Sequence, residues 1–360
     1  MKSLHEYFMH RCLELAAKGR GNTSPNPMVG SVVVHKSKII GEGYHRKCGE
    51  AHAEVNAINS VKNAGLFSES TIYVNLEPCS HYGRTPPCCD LIIAKKIPKI
   101  VIGTIDNFKQ VAGRGIEKLT NAGSDVVTGI LADSCIELNK RFFTYHSKNR
   151  PYIILKWAQT LDGYLAPVRS NVDAGSPVWI SADCSRMLVH KWRAEEDAIL
   201  VGTNTALEDN PKLTIRDWYG TNPIRIVIDR QGRLSLKHAL FDHSSKTIVF
   251  TQKQQLNEQN LEFVVIDFNC SKFEVLKLII NELYNRNIQS VIIEGGIEVL
   301  NSFIGNELWD EARVFIGNKH FAGGLLAPEM PLLPSHSVKL QNDLLLEYRN
   351  PIHNLKNVFL

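Results

Sequence analysis

The sequence predicts an α/β protein built from two successive layered domains, and three observations carry that expectation. Short apolar runs of strand type alternate with amphipathic stretches along the chain, the pattern of sheets covered by helices. The chain has 360 residues, enough for two domains of about 100–200 residues each. A polar stretch, Tyr145-His146-Ser147-Lys148-Asn149-Arg150-Pro151, interrupts the alternation. It places the boundary between domains over 1–146 and 150–360.

In the first domain, Leu4, Phe8, Cys12, Leu15 and Ala16 recur at helical spacing, so residues 4–18 form a helix that ends near Gly19. Asn22-Thr23-Ser24-Pro25-Asn26-Pro27 is a loop by composition. Residues 29–34 and 39–43 form a hairpin around 35–38. Then come a helix over 51–62, a strand over 71–76, a helix over 87–95 and a strand over 100–104. A helix over 115–122, a strand over 125–127 and a helix over 133–144 complete the domain.

The pattern restarts with a strand over 153–158 and a helix over 181–192, for which Ser181 is the expected N-cap. Buried-type strands are expected at 198–201, 224–228, 247–250, 264–266 and 291–293, with helices over 271–285 and 297–304. Residues 167–176 and 325–337 read as loops containing Pro and Gly. No internal repeat or low-complexity tract is present.

Composition narrows the function classes. Without an apolar run of 18 residues, a transmembrane helix is not expected. Met1–Glu6 lacks the apolar core of a signal peptide, so a cytoplasmic location is expected. Residues 1–150 hold 20 Lys and Arg against 13 Asp and Glu, a balance that suits an anionic partner, either a phosphate ester or RNA. No basic run interleaved with aromatic residues favours RNA. In a reducing cytosol the 8 cysteines do not suggest a disulfide framework. Cys79, Cys88 and Cys89 crowd together and point to a metal.

The strongest pattern is His52-Ala53-Glu54, then Pro78-Cys79, then Cys88. One imidazole and two thiolates make a three-ligand zinc set that leaves a position open for water. Glu54 lies close enough in sequence to His52 to serve as a proton shuttle without being a ligand. This order, H-x-E then P-C then C, is the signature of zinc nucleobase deaminases. Zinc supplies an activated water near pH 7, and a carboxylate such as Glu54 relays its proton to the leaving ammonia. The amides at the start of the 87–95 helix are expected to favour a thiolate at Cys88. Spacing alone leaves Cys88 and Cys89 open as the last ligand. A purely structural zinc site, with His81 or Cys89 as fourth ligand, is the competing interpretation, and Glu54 has no purpose in it.

Together with His52-Ala53-Glu54, the segment Leu76-Glu77-Pro78-Cys79-Ser80-His81-Tyr82-Gly83-Arg84-Thr85-Pro86-Pro87-Cys88 resembles the bifunctional deaminase–reductases of riboflavin biosynthesis. So do Pro25-Asn26-Pro27-Met28-Val29-Gly30, Gly113-Arg114-Gly115, Leu155-Lys156, Leu161-Asp162-Gly163 and Trp179-Ile180-Ser181. Asp209-Asn210-Pro211, Leu213-Thr214-Ile215-Arg216 and Glu294-Gly295-Gly296 extend the resemblance over essentially the full length. It implies a cytidine-deaminase-like α/β/α domain followed by a dihydrofolate-reductase-like α/β domain. The implied reactions are removal of the 2-amino group of 2,5-diamino-6-(5-phosphoribosylamino)pyrimidin-4-one and NADPH reduction of its ribosyl chain. The product is 5-amino-6-(5-phosphoribitylamino)uracil.

Through the resemblance, His52, Cys79 and Cys88 become Zn2+ ligands and Glu54 the proton donor, with Asn26 and His45 at the pyrimidine. Ala158, Trp179, Ser181, Thr205, Asp209, Gly295 and Gly296 become NADPH contacts. Lys156, Arg193, Leu213, Arg216 and Glu294 become substrate contacts. A homodimer or homotetramer is implied, with no nucleic acid and no membrane as partner.

The residues alone give the second half less. Gly295-Gly296, between a strand and a helix, suits a pyrophosphate at a helix N-terminus, although such a pair also makes ordinary turns. Arg193 and Arg216 suit a phosphate clamp, and Lys156 on an apolar strand needs a partner or a role. The chain departs from the family where Asp106-Asn107-Phe108-Lys109 replaces Asp-Pro-Asn-Pro, in a longer stretch before Trp179, and at Pro177 and Ser181. The alternative function is a nucleoside or tRNA deaminase with an inactive second half.

Overall fold

Alternation of inward-facing side chains decides what covers each face of the first sheet. In a computed structural model, which describes residues 3–82, 86–106, 113–168 and 178–353, the chain divides into two units that meet between Asn149 and Arg150. The first contains α1 (Leu4–Ala17), β1 (Gly30–His35), β2 (Lys38–Tyr44), α2 (Ala53–Asn59), β3 (Ser70–Leu76) and α3 (Cys88–Ala94). It continues with β4 (Lys99–Thr104), α4 (Arg114–Asn121), β5 (Asp125–Val127), α5 (Ala132–Leu138) and α6 (Lys140–Lys148). Its sheet has the order β2-β1-β3-β4-β5, antiparallel at β1 and parallel from β3 onward. Val32 and Val34 pack with Phe8, Met9 and Cys12 of α1, while Val33 packs with Ala57 and Ile58 of α2. Period-two alternation thus builds a core on each face, and the result is an α/β/α sandwich.

The second unit contains β6 (Tyr152–Thr160), β7 (Tyr164–Ala166), α7 (Asp183–Glu195), β8 (Ala198–Gly202), α8 (Thr203–Asp209), β9 (Ile224–Ile228), β10 (Thr247–Thr251) and β11 (Leu261–Val265). After these come α9 (Lys272–Asn285), β12 (Ser290–Gly295), α10 (Ile297–Gly305), β13 (Glu311–Gly317), β14 (Leu325–Leu326), β15 (His336–Leu340) and β16 (Asp343–Arg349). The main sheet has the order β11-β10-β9-β8-β12-β6-β13-β16-β15. Its seven strands from β11 to β13 are parallel, and β16 and β15 add an antiparallel edge. Ile153, Leu155, Ile293, Leu276 and Phe303 form the core on the α9–α10 side, and Ile154, Ile292, Val189 and Trp192 pack beneath α7. Arg150 opens this unit with a buried two-pronged pair to Asp310, at 2.6 and 2.7 Å.

Several elements differ from the sequence expectation. Ser181 does not cap α7: the N-cap is Ala182, and the carboxylate of Asp343 accepts from the Ala182 N–H and the Ser185 hydroxyl. That cap comes from β16, far along the chain. The expected helix over 133–144 is two helices, interrupted at Asn139, whose side chain accepts from the Met28 N–H and donates to the Met28 carbonyl. α6 then runs through part of the polar boundary stretch because Tyr145 is buried. α2 is shorter than 51–62; it stops at Asn59, and Ser60 beyond it accepts from the Glu42 N–H. The loop expected over 325–337 contains β14, paired with β7, and the start of β15. The strand expected at 264–266 runs instead over Leu261–Val265. Gly83, Arg84, Thr85, the Asn107-Phe108-Lys109 departure, Pro177 and most of the 167–176 loop lie outside the described residues.

Candidate active sites

The first site forms where β3 runs out of the sheet and two helices begin. His52 is the residue before α2, Cys79 follows β3 by three positions, and Cys88 is the first residue of α3. His52 Nδ1 lies 3.6 Å from Cys79 Sγ and 3.3 Å from Cys88 Sγ. The three donor atoms fall within 4.8 Å of one another, the only such group of His, Cys, Asp and Glu among the described residues. The nitrogen-and-thiolate donor set and its compactness fit a zinc ion with a position left for water.

Packing separates Cys88 from Cys89. The Cys89 thiol turns into the core, donating to the carbonyls of Pro78 at 3.3 Å and Gly115 at 3.6 Å, and burial pushes it up to about 12. Neither Cys89 nor His81 belongs to the donor cluster among the described residues. The expectation about the α3 amides is corrected: the Cys88 N–H donates to Cys79 Sγ at 3.3 Å, so the first amide of the helix serves the other sulfur. The Cys88 thiol also bonds Cys79 and lowers it to about 4, while Cys88 itself is pushed up by donating to Cys79.

Glu54 is buried beside these sulfurs at 3% exposure, and burial with the nearby Cys79 raises it to about 7. His45 stands edge-on to His52, with ring centroids 5.4 Å apart. Its Nδ1 faces the Ala51 carbonyl at 3.2 Å. A carbonyl only accepts, so Nδ1 carries the proton, and Nε2 accepts from the Asn26 amide at 3.1 Å. Burial lowers the His45 pKa, in keeping with a neutral ring. Asn26, His45 and Glu54 are thus gathered around the donor set of His52, Cys79 and Cys88.

The second site lies at the carboxyl ends of parallel strands, where open α/β sheets bind ligands. Glu294, near the end of β12, receives Arg193 of α7 through two hydrogen bonds of 3.1 and 2.8 Å, and Lys156 of β6 approaches it at 3.7 Å. Burial alone would raise the Glu294 carboxyl, but Arg193 and Lys156 hold it down at about 2. Burial lowers Lys156 despite Glu294. The guanidinium that the sequence offered to a phosphate therefore forks onto a carboxylate, and its remaining arm reaches the Thr214 carbonyl at 3.2 Å.

That contact ties in the loop of Leu213, which is buried with a φ of 53°. Arg216, further along it, is exposed, and its backbone N–H donates to His190 at 3.3 Å. Gly296 backs onto Thr205: a Cβ there would lie 2.9 Å from Thr205 Oγ1. Asp209 ends α8, and Ala158 lies on β6. Trp179 is 46% exposed, with the Arg186 guanidinium 4.6 Å above its ring, and Ser181 lies just before α7.

Two family models match the chain. Residues 2–104 match the cytidine and deoxycytidylate deaminase zinc-binding region, and residues 151–345 match the RibD C-terminal domain. The riboflavin biosynthesis protein RibD of Aquifex aeolicus is 41% identical over 329 residues, covering 90% of each chain. The chain belongs to the RibD family. RibD of Escherichia coli is 37% identical, over 87% of this chain and 88% of its own. A Thermotoga maritima structure, described as a diaminohydroxyphosphoribosylaminopyrimidine deaminase/5-amino-6-(5-phosphoribosylamino)uracil reductase, superposes with a TM-score of 0.86 at 38% identity. It covers 96% of this chain and 99% of its own. Acinetobacter baumannii RibD superposes at 0.84 with 30% identity, over 96% and 98% of the two chains.

As a RibD protein, the chain is a bifunctional deaminase and reductase of riboflavin biosynthesis, with a cytidine-deaminase-like domain before a dihydrofolate-reductase-like one. Its cofactors are Zn2+ and NADPH. No helix among the described residues is long and apolar enough to cross a membrane. Sequence reasoning overlooked Glu77, a buried carboxylate two residues before Cys79; a charged residue at the end of an apolar strand was the available signal.

Proposed function

We propose that this chain hydrolyses the 2-amino group of 2,5-diamino-6-(5-phosphoribosylamino)pyrimidin-4-one and then reduces the ribosyl side chain to ribityl. The observation that carries this reading is the three-donor cluster of His52, Cys79 and Cys88 with buried Glu54 beside it. A structural zinc site has no need of that carboxyl group.

His52, Cys79 and Cys88 would hold the zinc, which when bound would supply an activated water. Glu54 moves the water proton to the departing amine, so the ring carbon gains a carbonyl oxygen and releases ammonia. The Asn26 amide, oriented by His45, holds the pyrimidine edge. In the second unit NADPH, when bound, would supply the hydride. The Thr205 hydroxyl stands close over Gly295 and Gly296, and these three would line its phosphates, with Ala158, Trp179, Ser181 and Asp209 along the same cofactor. Lys156, Arg193 and Glu294 form a fixed polar wall for the sugar chain, joined by Leu213 and Arg216. A cytoplasmic location and a homodimer or homotetramer belong to the same reading.

Mass spectrometry of products from the diaminopyrimidine ribosyl phosphate tests it, using zinc-loaded protein with and without NADPH. The amine is expected to become a carbonyl without NADPH, and the side chain to gain two hydrogens only with it. No conversion by zinc-replete protein would overturn the substrate assignment.

A further inference from the structure

Glu77 lies between the end of β3 and the turn that carries Cys79, and its carboxylate is only 4% exposed. It collects four backbone N–H groups. Oε1 accepts from Gly115 at 2.8 Å and Ile116 at 3.3 Å. Oε2 accepts from Gly113 at 3.0 Å and Asp106 at 3.2 Å. The donors come from both sides of segment 107–112 and from the first turn of α4. Such charge-assisted bonds are about twice as strong as neutral ones, and the positive end of α4 adds to them.

The same contact reaches the metal turn. A Cβ on Gly115 would lie 2.3 Å from the Pro78 carbonyl and 3.0 Å from Glu77 Oε1, so the start of α4 is pressed against the residue before Cys79. From inside, the Cys89 thiol bonds that Pro78 carbonyl at 3.3 Å. The Glu77 N–H is fixed to the Thr104 carbonyl at 3.0 Å. Residues 77 and 78 are therefore held on several sides, and Cys79 leaves them with its sulfur aimed at His52.

We infer that Glu77 is a positioning residue for Cys79: it uses the α4 amides to lock the turn that presents this thiolate to zinc. The inference rests on the zinc-site reading proposed above. Glutamine in its place would offer one acceptor oxygen and turn an NH2 donor toward two of the four N–H groups. Losing such a support around a metal ligand typically weakens metal binding or activity about 10–100-fold.

The test compares wild type, Glu77→Gln and Gly115→Ala by zinc titration against a chromophoric chelator and by the visible spectrum of the cobalt-substituted proteins. Gly115→Ala pushes on both the Pro78 carbonyl and the Glu77 carboxylate while keeping Glu at 77, so it disturbs the same lock and decides the matter if Glu77→Gln fails to fold. Zinc affinity is expected to fall about 10–100-fold, and the cobalt–thiolate bands to shift. NADPH oxidation by the second unit should stay at the wild-type level. Folded variants with wild-type zinc affinity and an unchanged cobalt spectrum would overturn the role of Glu77 alone. A wild type that binds no zinc would instead overturn the reading of the site itself.

Discussion

Glu54 is the one side chain expected to separate a catalytic from a structural metal site. Its carboxyl is buried against the donor cluster of His52, Cys79 and Cys88. Glu54→Gln keeps the volume and polarity but cannot take up the proton. Ammonia release should fall about 10²–10⁴-fold, the usual worth of a positioned acid–base group, while metal analysis still finds wild-type zinc. Unchanged turnover in the zinc-replete variant would remove Glu54 from the reaction. These residues were legible in the sequence because order and spacing along the chain carry them. Spacing alone left Cys88 and Cys89 open, and only the family resemblance chose Cys88. Adjacent residues at a helix start point in different directions, and only the packing of Cys89 against Pro78 and Gly115 decides. Glu77 stayed hidden because its partners are backbone amides 29 to 39 positions away.

Elements of the second unit are joined by charges as well as by apolar packing. α7, β12 and β6 meet at Arg193, Glu294 and Lys156, where the side chains of Glu294 and Arg193 are 9% and 11% exposed. Glu294 is held at about 2, against an ordinary value of 4.5. A carboxyl depressed in the folded state stabilises fully above its unfolded pKa and loses that contribution as pH falls through the folded one. The second unit should therefore lose on the order of 3 kcal/mol between pH 4.5 and 2 from this group alone. Urea unfolding across that range should show the slope in wild type. Glu294→Gln should be less stable at pH 7 and should lack that component; an identical slope in both proteins would refute the assignment. The pair was unreadable beforehand because Arg193 and Glu294 lie 101 positions apart. β13 escaped for a related reason: its Glu311 and Arg313 are buried and paired with each other at 2.7 Å, so a core strand carries charges. By contrast, the helix over 271–285 was plain. Its apolar face is regular, and Ser271 and Glu274 form a reciprocal cap.

At the scale of the whole molecule, each unit has its own cores, and no core cluster among the described residues mixes the two. Each candidate site draws its residues from a single unit, so the two chemistries should be separable within one intact chain. Asp209, at the end of α8 in the second unit, provides the test. Replacing it with Ala removes a carboxylate from the expected NADPH cleft, and a lost charged hydrogen bond is worth about 1.5–3 kcal/mol. NADPH oxidation should fall at least about tenfold, since 1.4 kcal/mol corresponds to one factor of ten. The reductase must be assayed on pyrimidine that is already deaminated, so that a slow first step cannot imitate a damaged second one. Ammonia release from the diamino substrate, measured on the same preparation, should remain at the wild-type rate. A parallel fall in both rates, in protein whose two units melt as in wild type, would contradict two independent sites and indicate a single coupled one.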